Sequence, residues 1–239
     1  NAEAKAYYKT VQIPSIKNEL TGTGRVGKGA AEVLDDMGIT KVSPADFLAK
    51  DFDQAVYTQL VCEDYAQRKD GSPFNKKDFY ERPALFESKF APYTKARELM
   101  INCIYCDNNA PAFFTKEEMK STNFKIKVIA DVTCDYAPVS SIPSTLIAST
   151  IAAPVFGYDP QKEAETEAFQ TDCIDMMTID NLPNELPRDA SQSFGNQFIE
   201  FILPELLRDK SDILERATVT QNGELGLYFK YLEDYAKGV

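Results

Sequence analysis

The chain has 239 residues, 44% of them hydrophobic and 26% charged, which is ordinary for a folded globular protein and enough for one large or two small domains. Its net charge of -11 argues against nonspecific nucleic-acid binding, which needs clustered Lys and Arg, and no apolar run approaches the ~20 residues of a membrane span. Histidine is absent, which removes Ser-His and Cys-His catalytic pairs, imidazole metal sites and the usual neutral-pH proton shuttle.

No secretory-signal pattern opens the chain, and the five cysteines at 62, 103, 106, 134 and 173 are odd in number and lie mostly in apolar runs. They read as reduced thiols of a cytoplasmic protein, with no metal site. Short apolar runs at 16–21, 56–60, 99–105, 126–132 and 174–179 alternate with helical patterns. That alternation predicts an α/β fold, a doubly wound (Rossmann), mostly parallel sheet.

The first run is the poorest strand, because Asn18 and Glu19 stand where a buried strand wants aliphatics. The glycines after it compensate. Gly22, Gly24 and Gly27 have the Gly-x-Gly-x-x-Gly spacing, and Ala30-Ala31-Glu32-Val33-Leu34 continues as a helix. Gly22 would make the turn, Gly24 would let the backbone approach a pyrophosphate, and Gly27 would let the helix pack on the strand. An S-adenosylmethionine site also uses a glycine-rich first turn, so a methyltransferase is a distant rival; the three-glycine spacing favours a dinucleotide.

An acid after the second strand should take the adenine-ribose hydroxyls. Glu63 and Asp64 are the local candidates, and two solvated charges opening a loop would look the same. Arg68 and Lys69 would suit the extra phosphate of NADP, but NAD is the preferred cofactor. The polar stretch between Val61 and Tyr93 is too long for a plain connection and predicts a surface excursion with short helices near Asp78 and over 86–97.

Cys103 and Cys106 form a C-x-x-C at the end of a strand, where alternation sends them to opposite faces; this argues against a redox or zinc pair. Ligands of doubly wound sheets bind beyond the carboxyl ends of the strands. Those ends gather 102–105, 131–135 and 179–182 around one crevice, with Asp131, Asp135 and Asp180 as its carboxylates. For each of the three the bland reading is helix capping or loop solvation; for Asp180 function is favoured. Beyond them, 187–207 carries Phe194, Phe198, Phe201, Ile202 and Leu206 at helical spacing, and a further helix is predicted over 225–235 after the Asn222-Gly223 turn. The expected organisation is therefore a nucleotide-binding domain over 3–186 and a C-terminal helical appendage over 187–239.

Four segments, in this order, resemble the cofactor-binding half of the lysine-forming, NAD-dependent saccharopine dehydrogenases of the alanine dehydrogenase and pyridine nucleotide transhydrogenase superfamily. They are Gly24-Arg25-Val26-Gly27-Lys28-Gly29-Ala30, Ile101-Asn102-Cys103-Ile104-Tyr105, Ile129-Ala130-Asp131-Val132-Thr133-Cys134-Asp135 and the most distinctive, running from Thr178 through Ile179-Asp180-Asn181-Leu182-Pro183 to Ser191. The resemblance implies oxidation of a secondary amine by NAD and hydrolysis to lysine and 2-oxoglutarate. With Gly22, Thr23, Gly24 and Gly27 as the cofactor-binding turn, it implies that Arg25 and Val26 contact the cofactor phosphates and that Tyr105 borders the adenosine. Val132, Thr133 and Cys134 would line the junction of cofactor and substrate. Ile179, Asp180, Asn181 and Leu182 would wrap the nicotinamide ribose, with Asp180 near the reacting centre.

In that family the proton-transferring Lys and His precede the glycine motif by over a hundred residues, in an N-terminal domain. Here about twenty residues precede Gly22 and there is no His. The expectation is a fragment that binds NAD but is inactive alone. Its partners would be a small amino-acid substrate, the missing N-terminal domain and, through exposed aromatics, a second copy as a homodimer. A noncatalytic NAD-sensing or assembly module is the alternative.

Overall fold

Strand β1 (Lys17–Thr21) is central despite its polar sequence, and all five of its residues are buried. The Lys17 ammonium donates to the Phe47 carbonyl and lies over the Phe47 and Phe52 rings, and Asn18 Nδ2 donates to the Val56 carbonyl at 3.2 Å. Glu19 is the exception, with neither carboxylate oxygen hydrogen-bonded. The strand is held by its neighbours rather than by its own hydrophobicity, with parallel ladders on both sides.

This architecture comes from a computed structural model that describes residues 2–8, 10–96, 98–105, 107 and 109–238. After β1 the sheet strands are β2 (Thr40–Lys41), β3 (Val56–Leu60), β4 (Leu99–Asn102), β5 (Val128–Asp131), β6 (Val155–Asp159), β7 (Ala164–Thr166) and β8 (Ile174–Met177). Their order is β2-β3-β1-β4-β5-β8-β6-β7. The ladder is parallel from β2 through β8 and turns antiparallel for β6 and β7 at one edge. The fold is an α/β, Rossmann-like doubly wound sheet.

The two sheet faces carry separate cores. On one, Ala31 and Leu34 of helix Arg25–Asp36 pack with Leu20, Ile39, Tyr57 and Cys103. On the other, Phe47, Val56, Leu60, Met100, Ile129 and Met176 join an aromatic cluster that includes Phe79, Phe86, Phe90 and Phe113. Phe79, Phe86 and Phe90 belong to the predicted excursion. Its segments are short: helix Lys76–Glu81, a hairpin pairing Ala66–Arg68 with Phe86–Ser88, and helix Ala91–Thr94. The stretch 86–88 is thus strand where a helix is expected.

The chain divides into two compact units, Asn1–Asn181 and Leu182–Val239. The second begins with a 3-10 turn, Leu182–Glu185, and helix Pro187–Gln197, which continues through a π-helical turn, Phe198–Ile202, into Leu203–Leu206. Next come helix Asp212–Ala217 and a hairpin (Thr220–Gln221 with Glu224–Leu225), whose Asn222-Gly223 turn has both φ angles positive. In place of the single helix expected over 225–235 are a 3-10 segment, Leu227–Leu232, and helix Glu233–Lys237. No helix among the described residues is long and apolar enough to cross a membrane.

Candidate functional site

β1 lies between β3 and β4, and the chain reverses direction across the sheet there, so a crevice opens above the carboxyl ends of β1 and β4. Gly22 enters it with φ +91°, and a Cβ at that position would sit 2.7 Å from the Cys103 carbonyl oxygen. A side chain at Gly27 would lie 2.2 Å from the Gly22 carbonyl oxygen, so the helix reaches the turn only without one. Gly24 is different, with open space where a Cβ would be. It is the N-cap of helix Arg25–Asp36 and offers no side-chain acceptor. Thr23, Gly24, Arg25 and Val26 are all exposed. Leading amides and the positive end of the helix dipole thus face a space that suits a phosphate.

Gln59 locks this turn. Its Nε2 donates to the Gly22 carbonyl at 2.9 Å and the Gly27 carbonyl at 3.3 Å, while its Oε1 accepts from Lys41 Nζ at 2.6 Å. Sequence reasoning missed it, since a Gln near the end of a strand carries no signal until the parallel register sets it beside the turn.

Beside the turn is a cleft of about 250 Å³. Gly22, Thr23 and Gly24 form one wall, Cys62 and Glu63 follow β3, and Ile104 and Tyr105 follow β4. Phe74, Lys76 and Tyr80 of the excursion close it. The two acids proposed after the second strand separate here. Asp64 is spent as a cap, accepting from the Val61 amide at 2.8 Å, whereas Glu63 is exposed and lines the cleft. Arg68 and Lys69, expected near a 2′-phosphate, are engaged elsewhere. Arg68 pairs with Asp70 and Asp78, and Lys69 donates to the Ala84 carbonyl.

Behind the crevice runs a buried polar network. The Thr21 hydroxyl donates to Asn102 Oδ1 at 2.7 Å, and Asn102 Nδ2 donates to Asp131 Oδ1 at 2.9 Å and to the Ser141 hydroxyl at 3.1 Å. Asp131 also accepts from the Thr133 hydroxyl and from the Thr145 hydroxyl, each at 2.6 Å. Asp131 is fully buried and fully hydrogen-bonded, so it organises the strand ends instead of meeting a ligand. Replacing Thr21 with Val keeps the shape and removes one donor; urea unfolding should show a loss of about 1 kcal/mol.

At the far end, Cys134 has φ +53°, uncommon for a side-chain-bearing residue, and its thiol donates to the Thr178 carbonyl at 2.9 Å. That contact ties the loop after β5 to the end of β8. Ile179 is buried beside Ser149, and Asp180 and Asn181 are exposed. Val132 packs against the core that contains Leu20. Leu182 opens the second unit and is described with it. Cys106 lies outside the described residues, so the C-x-x-C pair has no geometry to report.

Burial, reinforced by Asp131, pushes the Cys103 thiol up to about 11, and burial also raises Cys134. Neither is a thiolate nucleophile near neutral pH. Burial raises the Asp135 carboxyl too, with Asp131 adding to it. These groups can hold and orient a ligand; a strong acid-base pair is not among them.

The fold is that of a Rossmann-like α/β protein with a glycine-lined cleft beyond the carboxyl ends of its central strands. No family model matches the chain. Among curated proteins, the α-aminoadipic semialdehyde synthase of Arabidopsis thaliana is 28% identical over 239 residues, covering 89% of this chain and 22% of that protein. The NAD(+), L-lysine-forming saccharopine dehydrogenase of Schizosaccharomyces pombe is 32% identical over 186 residues, 77% of this chain and 38% of its own length. Its Candida albicans counterpart is 28% identical over 195 residues, 81% and 40%. These similarities support a saccharopine dehydrogenase-like relationship, and the chain spans 22% to 40% of the length of these relatives.

Proposed function

We propose that this chain is the NAD-binding part of an amino-acid oxidoreductase acting on a secondary amine of the saccharopine type, yielding lysine and 2-oxoglutarate. The observation that carries this reading is the uncapped glycine turn opening onto a cleft that contains Glu63 and Tyr105. The residues fit the cofactor: Gly24 leaves room for a pyrophosphate against the backbone, and Glu63 can accept from the ribose hydroxyls. When bound, NAD supplies the hydride acceptor.

The chain's own residues bind and orient. Gly22 to Gly27 would hold the phosphates, Tyr105 would border the adenosine, and Cys134 and Thr178 would fix the strand ends under the nicotinamide. Asp180 would be the carboxylate nearest the reacting centre. Proton transfer to and from the amine nitrogen requires groups from an N-terminal domain outside this chain. Exposed aromatics of the second unit, among them Phe194, Phe201, Tyr231 and Tyr235, suit contact with such a domain.

Calorimetric titration of the chain tests the reading. NAD and NADH should give measurable, weak binding, S-adenosylmethionine none, and saccharopine should not be turned over by the chain alone. No heat with either nicotinamide dinucleotide at millimolar concentration would remove the reading.

A further inference from the structure

The cleft beside the glycine turn is bordered by two charged side chains, Glu63 and Lys76. Lys76 belongs to the excursion, whose position is fixed by contacts that do not involve its ammonium among the described residues. Asn75 caps the short helix by accepting from the Asp78 amide at 3.0 Å. Asp78 is held by Arg68 at 2.9 Å, and Arg68 itself lies over the Phe86 ring at 5.7 Å. Phe74 and Phe79 pack on Phe86 with ring centroids 5.4 and 5.1 Å away. The Tyr80 hydroxyl lies 3.5 Å from the Cys62 thiol, which anchors the excursion next to Glu63. Lys76 makes no ion pair among the described residues, although Lys77 and Arg82 of the same segment do.

We infer that Glu63 and Lys76 together set which dinucleotide this cleft accepts, Lys76 being a latent receptor for a 2′-phosphate that the Glu63 carboxylate blocks. The inference rests on the dinucleotide reading above. A carboxylate at the ribose accepts from a free 2′-hydroxyl and repels a phosphate placed there. A lysine is a compact point charge able to meet a phosphate without the bidentate geometry that arginine demands. With Arg68 and Lys69 committed to other partners, Lys76 is, among the described residues, the cation that lines this cleft.

The test is a titration of the whole chain and of Glu63→Gln, Lys76→Gln and the double variant with NAD and NADP, with thermal unfolding as the check on folding. Both residues are exposed, so all three variants should fold like the parent. In Glu63→Gln, NADP affinity should rise by about tenfold and NAD affinity should fall. The double variant should lose the NADP gain. An NADP gain that survives without Lys76, or no gain in Glu63→Gln while the parent binds NAD, overturns the inference and leaves the dinucleotide reading standing. A parent chain that binds neither dinucleotide overturns both.

Discussion

Replacing Gly27 with Val should cost about 3 kcal/mol of stability and abolish dinucleotide binding, whereas Gly29→Ala two residues on should be neutral to stabilising. The contrast arises from the atoms each added side chain meets. At Gly27 a Cβ lies 2.2 Å from the Gly22 carbonyl oxygen and 2.8 Å from its carbon, and both are backbone atoms that cannot rotate away. Helix and turn must separate, which breaks the Gln59 clamp on the Gly22 and Gly27 carbonyls and moves the leading amides off the proposed phosphate position. Overpacking of this kind typically costs about 1–3 kcal/mol, and a β-branched residue is at the upper end. At Gly29 nothing lies within 4 Å of the added carbon, so Ala gains helix propensity, worth about 0.5–1 kcal/mol. Chemical unfolding and calorimetry on the two variants read both effects.

Glu19→Leu should stabilise the protein by about 1–4 kcal/mol at pH 8, with the gain shrinking toward pH 4. Glu19 is wholly buried in β1, and neither carboxylate oxygen has a hydrogen-bond partner. Burial raises its carboxyl well above the usual range, and the attraction of Lys17 on the same strand offsets only part of that. The sign is fixed by linkage. The folded state holds this proton more tightly than the unfolded chain, so the group's contribution is fully present below the unfolded value, near 4.5. It is lost as the pH climbs through the raised folded value. Unfolding free energies measured from pH 4 to 8 should therefore fall less steeply for Glu19→Leu than for the parent. Equal slopes for the two would show that Glu19 is solvated or paired.

The glycine turn and the buried parallel strands were legible because their signals are local. Gly22, Gly24 and Gly27 fall close together in one short stretch, and the run at 56–60 coincides with β3. The antiparallel edge was not legible. Gly157 interrupts the apolar run of β6, and its need for glycine comes from the Glu167 carbonyl, which a Cβ would approach to 2.3 Å. Only the β6–β7 pairing creates that contact. The polar network was equally hidden, because Thr21, Asn102 and Asp131 meet through the ladder register that pairs Thr21 with Asn102 and Asn102 with Asp131. Asp131 therefore looked like a crevice carboxylate when it is an internal fastening. Arg68 and Lys69 misled for a related reason: proximity in sequence to β3 placed them at the cleft, while the excursion fold turned them to Asp70, Asp78 and Ala84 and brought Lys76 in instead. The weak sequence of β1 shows the converse, a strand accepted because its neighbours bury it.

In the proposed function the glycine turn and the cleft beside it hold the dinucleotide. Amide hydrogen exchange of the chain with and without saturating NAD tests this most directly. Protection should rise at Thr23 to Val26 and at Ile104 and Tyr105, while the β7 edge at 164–166 should be unchanged. Unaltered exchange at Thr23 to Val26 under saturating NAD, or protection confined to the β7 edge, would contradict it.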